Sequence, residues 1–133
     1  MIALDTNILA RIATNDTPQQ ARRAASFIDS SGALFVPITV SLELEWVLRG
    51  AYKMPKAAIA KIFEGFLSVR NLNFERSGDI HLILQRYEAG FDFADALHHT
   101  GSAGCRALAT FDKSFEKLAG KAALHPPVLA PGK

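Results

Sequence analysis

Short apolar runs alternate along this chain with longer stretches of helical periodicity. Ile2-Ala3-Leu4 is a brief apolar run that ends at Asp5, the pattern of a buried strand. A helix is expected from Thr6. Thr17-Pro18-Gln19-Gln20 then reads as a helix start, with Thr at the N-cap, Pro in the first helical position and Gln where a capping box wants it. Ala21, Ala24, Ala25 and Ile28 follow at helical spacing until Ser30-Ser31-Gly32, and Leu34-Phe35-Val36 reads as a second strand. Beyond Pro37 the spacing predicts a helix from Ile38 to Tyr52. Another is expected from near Pro55, with Ile59, Ile62, Phe63 and Phe66 along one stripe. Leu72-Asn73-Phe74 predicts a third strand. Ser77 is the expected cap of a helix whose inner face is Ile80, Ile83, Leu84 and Tyr87, and Asp92 starts the next one. Ala107-Leu108-Ala109-Thr110 predicts a fourth strand, followed by a short helix from about Lys113 to Leu118. The tail, with Pro126, Pro127 and Pro131, has room for an edge strand and is expected to fray from about residue 125.

Short strands separated by amphipathic helices imply right-handed crossovers, a parallel sheet and helices on both of its faces. In such sheets functional groups lie outside the carboxyl ends of the strands. At 133 residues the chain suits one domain spanning 1–133, with no internal repeat or linker. Its apolar share of 49% and charged share of 21% are those of a globular protein. The single Cys105 makes no internal disulfide, which fits a reducing cytoplasm. No basic leader precedes Asp5, and no run approaches the roughly 20 apolar residues of a membrane span, so a soluble protein is expected. A net charge of +2 is too mild, and its bases too dispersed, to indicate nucleic-acid binding by themselves.

Two acidic residues directly follow apolar runs, Asp5 after the first expected strand and Asp112 just past the fourth. Both are placed at the carboxyl edge of the sheet, where each is either a functional group or simply the cap of the next helix. Glu43 falls on a broad apolar arc traced by Val40, Leu42, Leu44, Trp46, Val47 and Leu48, while Glu45 is placed on the outer face beside Ser41 and Arg49. A charge on a buried arc costs several kcal/mol unless it binds a metal or pairs with an arginine. In Asp92-Phe93-Ala94-Asp95 the first Asp suits an N-cap and the second an early helical turn, so Asp95 alone reads as structural rather than functional. Together the four residues say more. Two carboxylates about 4 Å apart repel by roughly 4 kcal/mol at an effective dielectric near 20, and a divalent cation reverses that sign. All-oxygen ligand sets select hard ions, Mg²⁺ or Mn²⁺.

Other polar residues carry less. His98 and His99 are adjacent on a helix and point about 100° apart, so solvation or packing is expected of them, not a shared ion. Cys105 is expected as a small buried residue. Arg11 lies on the helix that leaves Asp5 and is the first candidate for a phosphate contact. Arg22, Arg23 and Arg49 read as surface charges. Trp46, Phe63, Phe66 and Leu67 are expected mostly in the core.

Four segments, in this order and spacing, carry a family resemblance: Asp5-Thr6-Asn7-Ile8-Leu9 with Asp16-Thr17-Pro18, Glu43 through Arg49, Phe93-Ala94-Asp95-Ala96-Leu97, and Ala109-Thr110-Phe111-Asp112. Up to about Leu118 the chain resembles PIN-domain nucleases, specifically the VapC-type toxins of toxin–antitoxin pairs. The resemblance implies a three-layer α/β/α sandwich with a central, mostly parallel sheet of four to five strands. It implies cleavage of RNA phosphodiesters with Mg²⁺ or Mn²⁺ by water activated on the ion, leaving 5′-phosphate and 3′-hydroxyl ends. The family's acidic positions fall on Asp5, Glu43, Asp95 and Asp112, the first three holding one ion. Asn7 and Thr110 fall on supporting polar positions. The implied partners are RNA, a VapB-like antitoxin and a second copy of the chain, with an antitoxin-binding apolar groove near Trp46, Phe63, Phe66 and Leu67.

Two other aspartate-dependent folds fail on single residues. A haloacid-dehalogenase-type phosphatase needs a second Asp two positions after the first, where this chain has Asn7. A response-regulator receiver needs an Asp after its third strand, where Leu72-Asn73-Phe74-Glu75-Arg76 has none. A non-catalytic binding module on the same fold is the alternative from another class, and retention of all four acidic positions argues against it.

Overall fold

Asp5 stands just past the first strand and opens the first helix, and the same strand-to-helix step recurs along the chain. The computed structural model describes residues 1–132 and divides into two compact units, Met1–His81 and the remainder from Leu82. The first contains β1 (Ile2–Ala3), α1 (Thr6–Thr14), α2 (Pro18–Ser30), β2 (Leu34–Val36), α3 (Ile38–Gly50), α4 (Lys56–Leu67) and β3 (Leu72–Phe74). The division falls within α5 (Ser77–Glu88). The second unit continues with α6 (Phe93–Thr100), β4 (Leu108–Ala109), α7 (Lys113–Lys121) and β5 (Val128–Leu129).

In the first unit β1, β2 and β3 lie side by side in that order, all parallel, with Ile2 opposite Leu34 and Leu34 opposite Leu72. Leu34, Val36, Leu72 and Phe74 are buried, as are Leu9, Leu44, Leu48, Ile59 and Phe63 of the helices. This order sends the carboxyl ends of all three strands the same way. Past β1 stands Asp5. Past β3 stands Glu75, whose carboxylate accepts from the Ile38 amide at 2.8 Å and so caps α3, whose own preceding residue is Pro37. Asn15 ends α1 in the left-handed conformation, φ 52°, one of the few residues besides glycine that does so readily. Asn71 holds the end of α2 by donating to the carbonyls of Ile28, Ser31 and Gly32.

In the second unit β4 and β5 form a parallel pair, Leu108 opposite Val128, so the expected tail strand is present. Lys133 lies outside the described residues. Tyr87 meets Phe93 edge-on, ring centroids 5.5 Å apart, and Phe91 meets Phe115 the same way. His99 is buried, with Nε2 2.9 Å from the Pro126 carbonyl and Nδ1 3.2 Å from the Arg86 guanidinium. Arginine only donates, so Nδ1 accepts and Nε2–H donates, a packing role that leaves His99 no ligand function. The strands among the described residues are all parallel and alternate with helices, consistent with the three-layer α/β/α class. No helix among them is long and apolar enough to cross a membrane.

Local expectations needed correction at several points. Ile2 and Ala3 are exposed, because β1 occupies an edge of its sheet and burial begins at Leu4. Thr17 is the N-cap of α2 but makes no side-chain cap bond, so Pro18 alone marks that start. Ser77 is the first residue of α5 and not its cap. Before it, Arg76 turns left-handed, φ 56°, and pairs with Asp79 at 2.6 Å. Cys105 is exposed in the turn that leads to β4. Trp46 is also exposed, whereas Phe63 and Phe66 are in the core.

Candidate acidic site

Asp5 and Glu43 are brought together in the first unit by one residue between them. Asp5 is the N-cap of α1, and its Oδ1 accepts from the Thr6 amide at 2.7 Å. Thr6 is buried, and its hydroxyl donates to Oε1 of Glu43 on α3. One threonine therefore grips both carboxylates, through its backbone and through its side chain. Asp5 and Glu43 both remain exposed, so each presents its carboxylate to solvent.

The burial expected of Glu43 belongs instead to Glu45. The inward face of α3 is Val40, Ser41, Leu44, Glu45 and Leu48, and Glu45 is 2% exposed. Arg49, one turn on, donates to it at 2.7 and 3.4 Å. The reversal has a physical reason. Helix α3 carries apolar residues nearly all round, so the wheel alone cannot choose its inner face. Of the apolar arc expected to face the core, Trp46 is exposed and Leu42 and Val47 are only half-buried. The arginine-paired carboxylate weighed for Glu43 is real, two positions along.

The second unit holds the other pair. Asp95 sits in the first turn of α6, and its amide donates to the N-cap Asp92 at 3.0 Å. Asp112 is the N-cap of α7, accepting from the Phe115 amide at 3.0 Å and from the Ser114 hydroxyl at 2.7 Å. Thr110 sets Asp112 in place. Its Oγ1 accepts from the Asp112 amide at 3.0 Å, while its own amide donates to the Leu129 carbonyl of β5 at 2.9 Å. Partial burial, followed by the charges of Asp92 and Asp112, raises the Asp95 carboxyl above its ordinary value, and His98 opposes this. The Ser114 hydroxyl, then the Phe115 amide, hold Asp112 below its ordinary value. Negative charge thus accumulates around Asp95, the condition a cation relieves.

Asn7 is exposed on the first turn of α1. Arg11 is engaged within the first unit. Its Nε donates to Gln20 Oε1 at 2.8 Å and it pairs with Asp16 at 3.7 Å. Asp16 also accepts from the Tyr52 hydroxyl, the main reason its carboxyl is held low. That network fastens α1 to the start of α2. Arg22 and Arg23 are exposed on α2, and His98 is exposed on α6. Thr6 is the contributor that residue-by-residue reading passed over. Its signal was a hydroxyl directly after the strand-end aspartate, on the first turn of a helix that also buries Leu9 and Ala10.

The donor set fits a hard divalent cation, since all four candidate side chains are carboxylates with neither thiolate nor imidazole among them. Among the described residues no three His, Cys, Asp or Glu side chains gather into one metal-binding group. Asp5 and Glu43 belong to the first unit, and Asp95 and Asp112 to the second.

No curated protein and no solved structure matches the chain. The PIN-domain family model matches residues 2–121, a stretch that takes in Asp5, Glu43, Asp95 and Asp112. Domains of this family are generally nucleases, often dependent on a divalent metal ion. With nearly its whole length matched, the chain belongs to the PIN-domain family.

Proposed function

We propose that this protein is a Mg²⁺- or Mn²⁺-dependent endoribonuclease in which Asp5, Glu43, Asp95 and Asp112 supply the metal ligands. The observation that carries the reading is the grip of Thr6 on Asp5 and Glu43, two exposed carboxylates from different elements held at one place. A bound divalent ion would polarise a phosphoryl oxygen and lower the pKa of an attacking water. The chain's own part is to hold the acidic oxygens in position. Asp5 and Asp112 are fixed as helix caps, Glu43 by the Thr6 hydroxyl, and Asp112 further by Thr110. Such partners behind a ligand typically matter 10- to 100-fold for metal affinity or activity.

The finer assignment is a VapC-type toxin acting on RNA in the cytoplasm, as a homodimer and under a VapB-like antitoxin. It rests on the sequence resemblance alone. An antitoxin-like reading frame immediately upstream would support it.

The test is incubation of the purified chain with mixed cellular RNA. Cutting is expected only with Mg²⁺ or Mn²⁺ and is expected to disappear in Asp5→Asn. Intact RNA under both metals would leave the non-catalytic binding module as the better reading.

A further inference from the structure

Asp95 and His98 stand three residues apart on α6, so they are neighbours on one face of that helix, with roughly 5–6 Å between their Cβ atoms. Helical side chains lean back over the preceding turn, which carries the imidazole of His98 toward Asp95. The Asp95 carboxylate is partly buried, and among the described residues no hydrogen bond reaches it; the contact with Asp92 is made by the Asp95 amide. The ring of His98 is exposed and also without a hydrogen bond among those residues, while its carbonyl accepts from the Ser102 hydroxyl at 2.8 Å. The adjacent His99 differs, being buried with both ring nitrogens engaged by Arg86 and the Pro126 carbonyl. One turn of α6 therefore presents a carboxylate and an imidazole side by side, neither of them spoken for.

The surrounding charge discriminates between ligands. Asp92 and Asp112 both add negative charge around Asp95, and His98 is the group that offsets it. An anion such as a phosphate is repelled there, and a cation is drawn in. A carboxylate and an imidazole at positions i and i+3 of a helix can reach one ion, the spacing of the Glu-x-x-His pairs in di-iron and di-manganese carboxylate proteins. Resting on the metal-dependent ribonuclease reading above, we infer that His98 joins Asp95 as a nitrogen ligand of the divalent ion, and that the site prefers Mn²⁺ to Mg²⁺. Mg²⁺ keeps to oxygen ligands and its own waters, whereas Mn²⁺ accepts imidazole beside carboxylates. Both ligands sit on one helix of the second unit.

Mn²⁺ is its own probe, because the nitrogen of a bound imidazole couples to the electron spin of the ion. Pulsed EPR of the full chain with Mn²⁺ is expected to show nitrogen hyperfine coupling, and His98→Ala is expected to abolish it. By calorimetric titration the same variant is expected to raise the Kd for Mn²⁺ by at least the roughly 10- to 100-fold that loss of an outer partner costs, and the Kd for Mg²⁺ by much less. His98 is exposed, so His98→Ala is expected to melt with the wild type in EDTA. Bound Mn²⁺ without nitrogen coupling, or coupling retained in His98→Ala, would overturn the nitrogen ligand and leave the carboxylates and the ribonuclease standing. Equal losses of Mn²⁺ and Mg²⁺ affinity would overturn the preference. Coupling that depends on His98, in a chain that leaves RNA intact with Mn²⁺, would keep the ligand and remove the catalysis. A wild type that binds neither ion would end both.

Discussion

The hydroxyl of Thr6 donates to Oε1 of Glu43, joining the first turn of α1 to α3 across 37 positions of sequence. That contact holds a solvent-exposed carboxylate in place, so its removal acts on function more than on folding. Thr6→Val keeps the shape and removes the donor. RNA cleavage is expected to fall roughly 10- to 100-fold, the usual weight of a residue that orients a metal ligand. The urea midpoint is expected to move by no more than the equivalent of about 1–3 kcal/mol, and Thr6→Ser is expected to restore activity. Wild-type cleavage by Thr6→Val would show that the contact orients nothing.

Glu43 and Glu45 are expected to separate cleanly when each is disturbed. Glu43→Gln alters an exposed group and is expected to change stability by less than about 0.5 kcal/mol while abolishing cleavage. Arg49→Met removes a donor to a carboxylate that is 2% exposed and is expected to cost about 1–3 kcal/mol in denaturant unfolding. Adding Glu45→Gln to Arg49→Met is expected to return part of that cost, since no buried charge is then left behind. The opposite ranking, with Glu43→Gln the destabilising change, would contradict the burial of α3 described above.

Asp95 links charge to pH. Its carboxyl is raised by partial burial first and by Asp92 and Asp112 next, so the folded chain binds a proton there more readily than the unfolded chain. Stability from this group is therefore present at acid pH and is lost as pH rises from the ordinary carboxylate range through the raised value. Asp95→Asn is expected to raise the melting temperature slightly at neutral pH in EDTA and to have no such effect at acid pH. Added Mn²⁺ is expected to stabilise the wild type and to leave Asp95→Asn behind. Calorimetric melting across pH, with and without metal, reads both effects. A variant less stable than the wild type at neutral pH in EDTA would contradict the assignment.

Much of this was legible in the sequence where local signals act. Pro18 marked the start of α2, the strand-end aspartates capped α1 and α7 as their residue type favours, and Leu34–Val36 and Leu72–Phe74 formed strands where expected. The face buried by α3 was not legible, because Leu42, Trp46 and Val47 offer a second apolar arc and only the packing of neighbouring elements chooses between them. The partner of Thr6 was hidden for a different reason. A hydroxyl does not announce which carboxylate 37 residues away it will meet. Cys105 misled because a small residue near a strand suggests burial, while the turn that carries it lies at the surface.

The chemistry of the cut ends tests the central claim most directly. RNA digested by the purified chain with Mg²⁺ or Mn²⁺ is predicted to carry 5′-phosphate and 3′-hydroxyl ends, because water attacks the phosphorus in place of the ribose 2′-hydroxyl. Ends bearing 2′,3′-cyclic phosphate, formed equally well in EDTA, would contradict it.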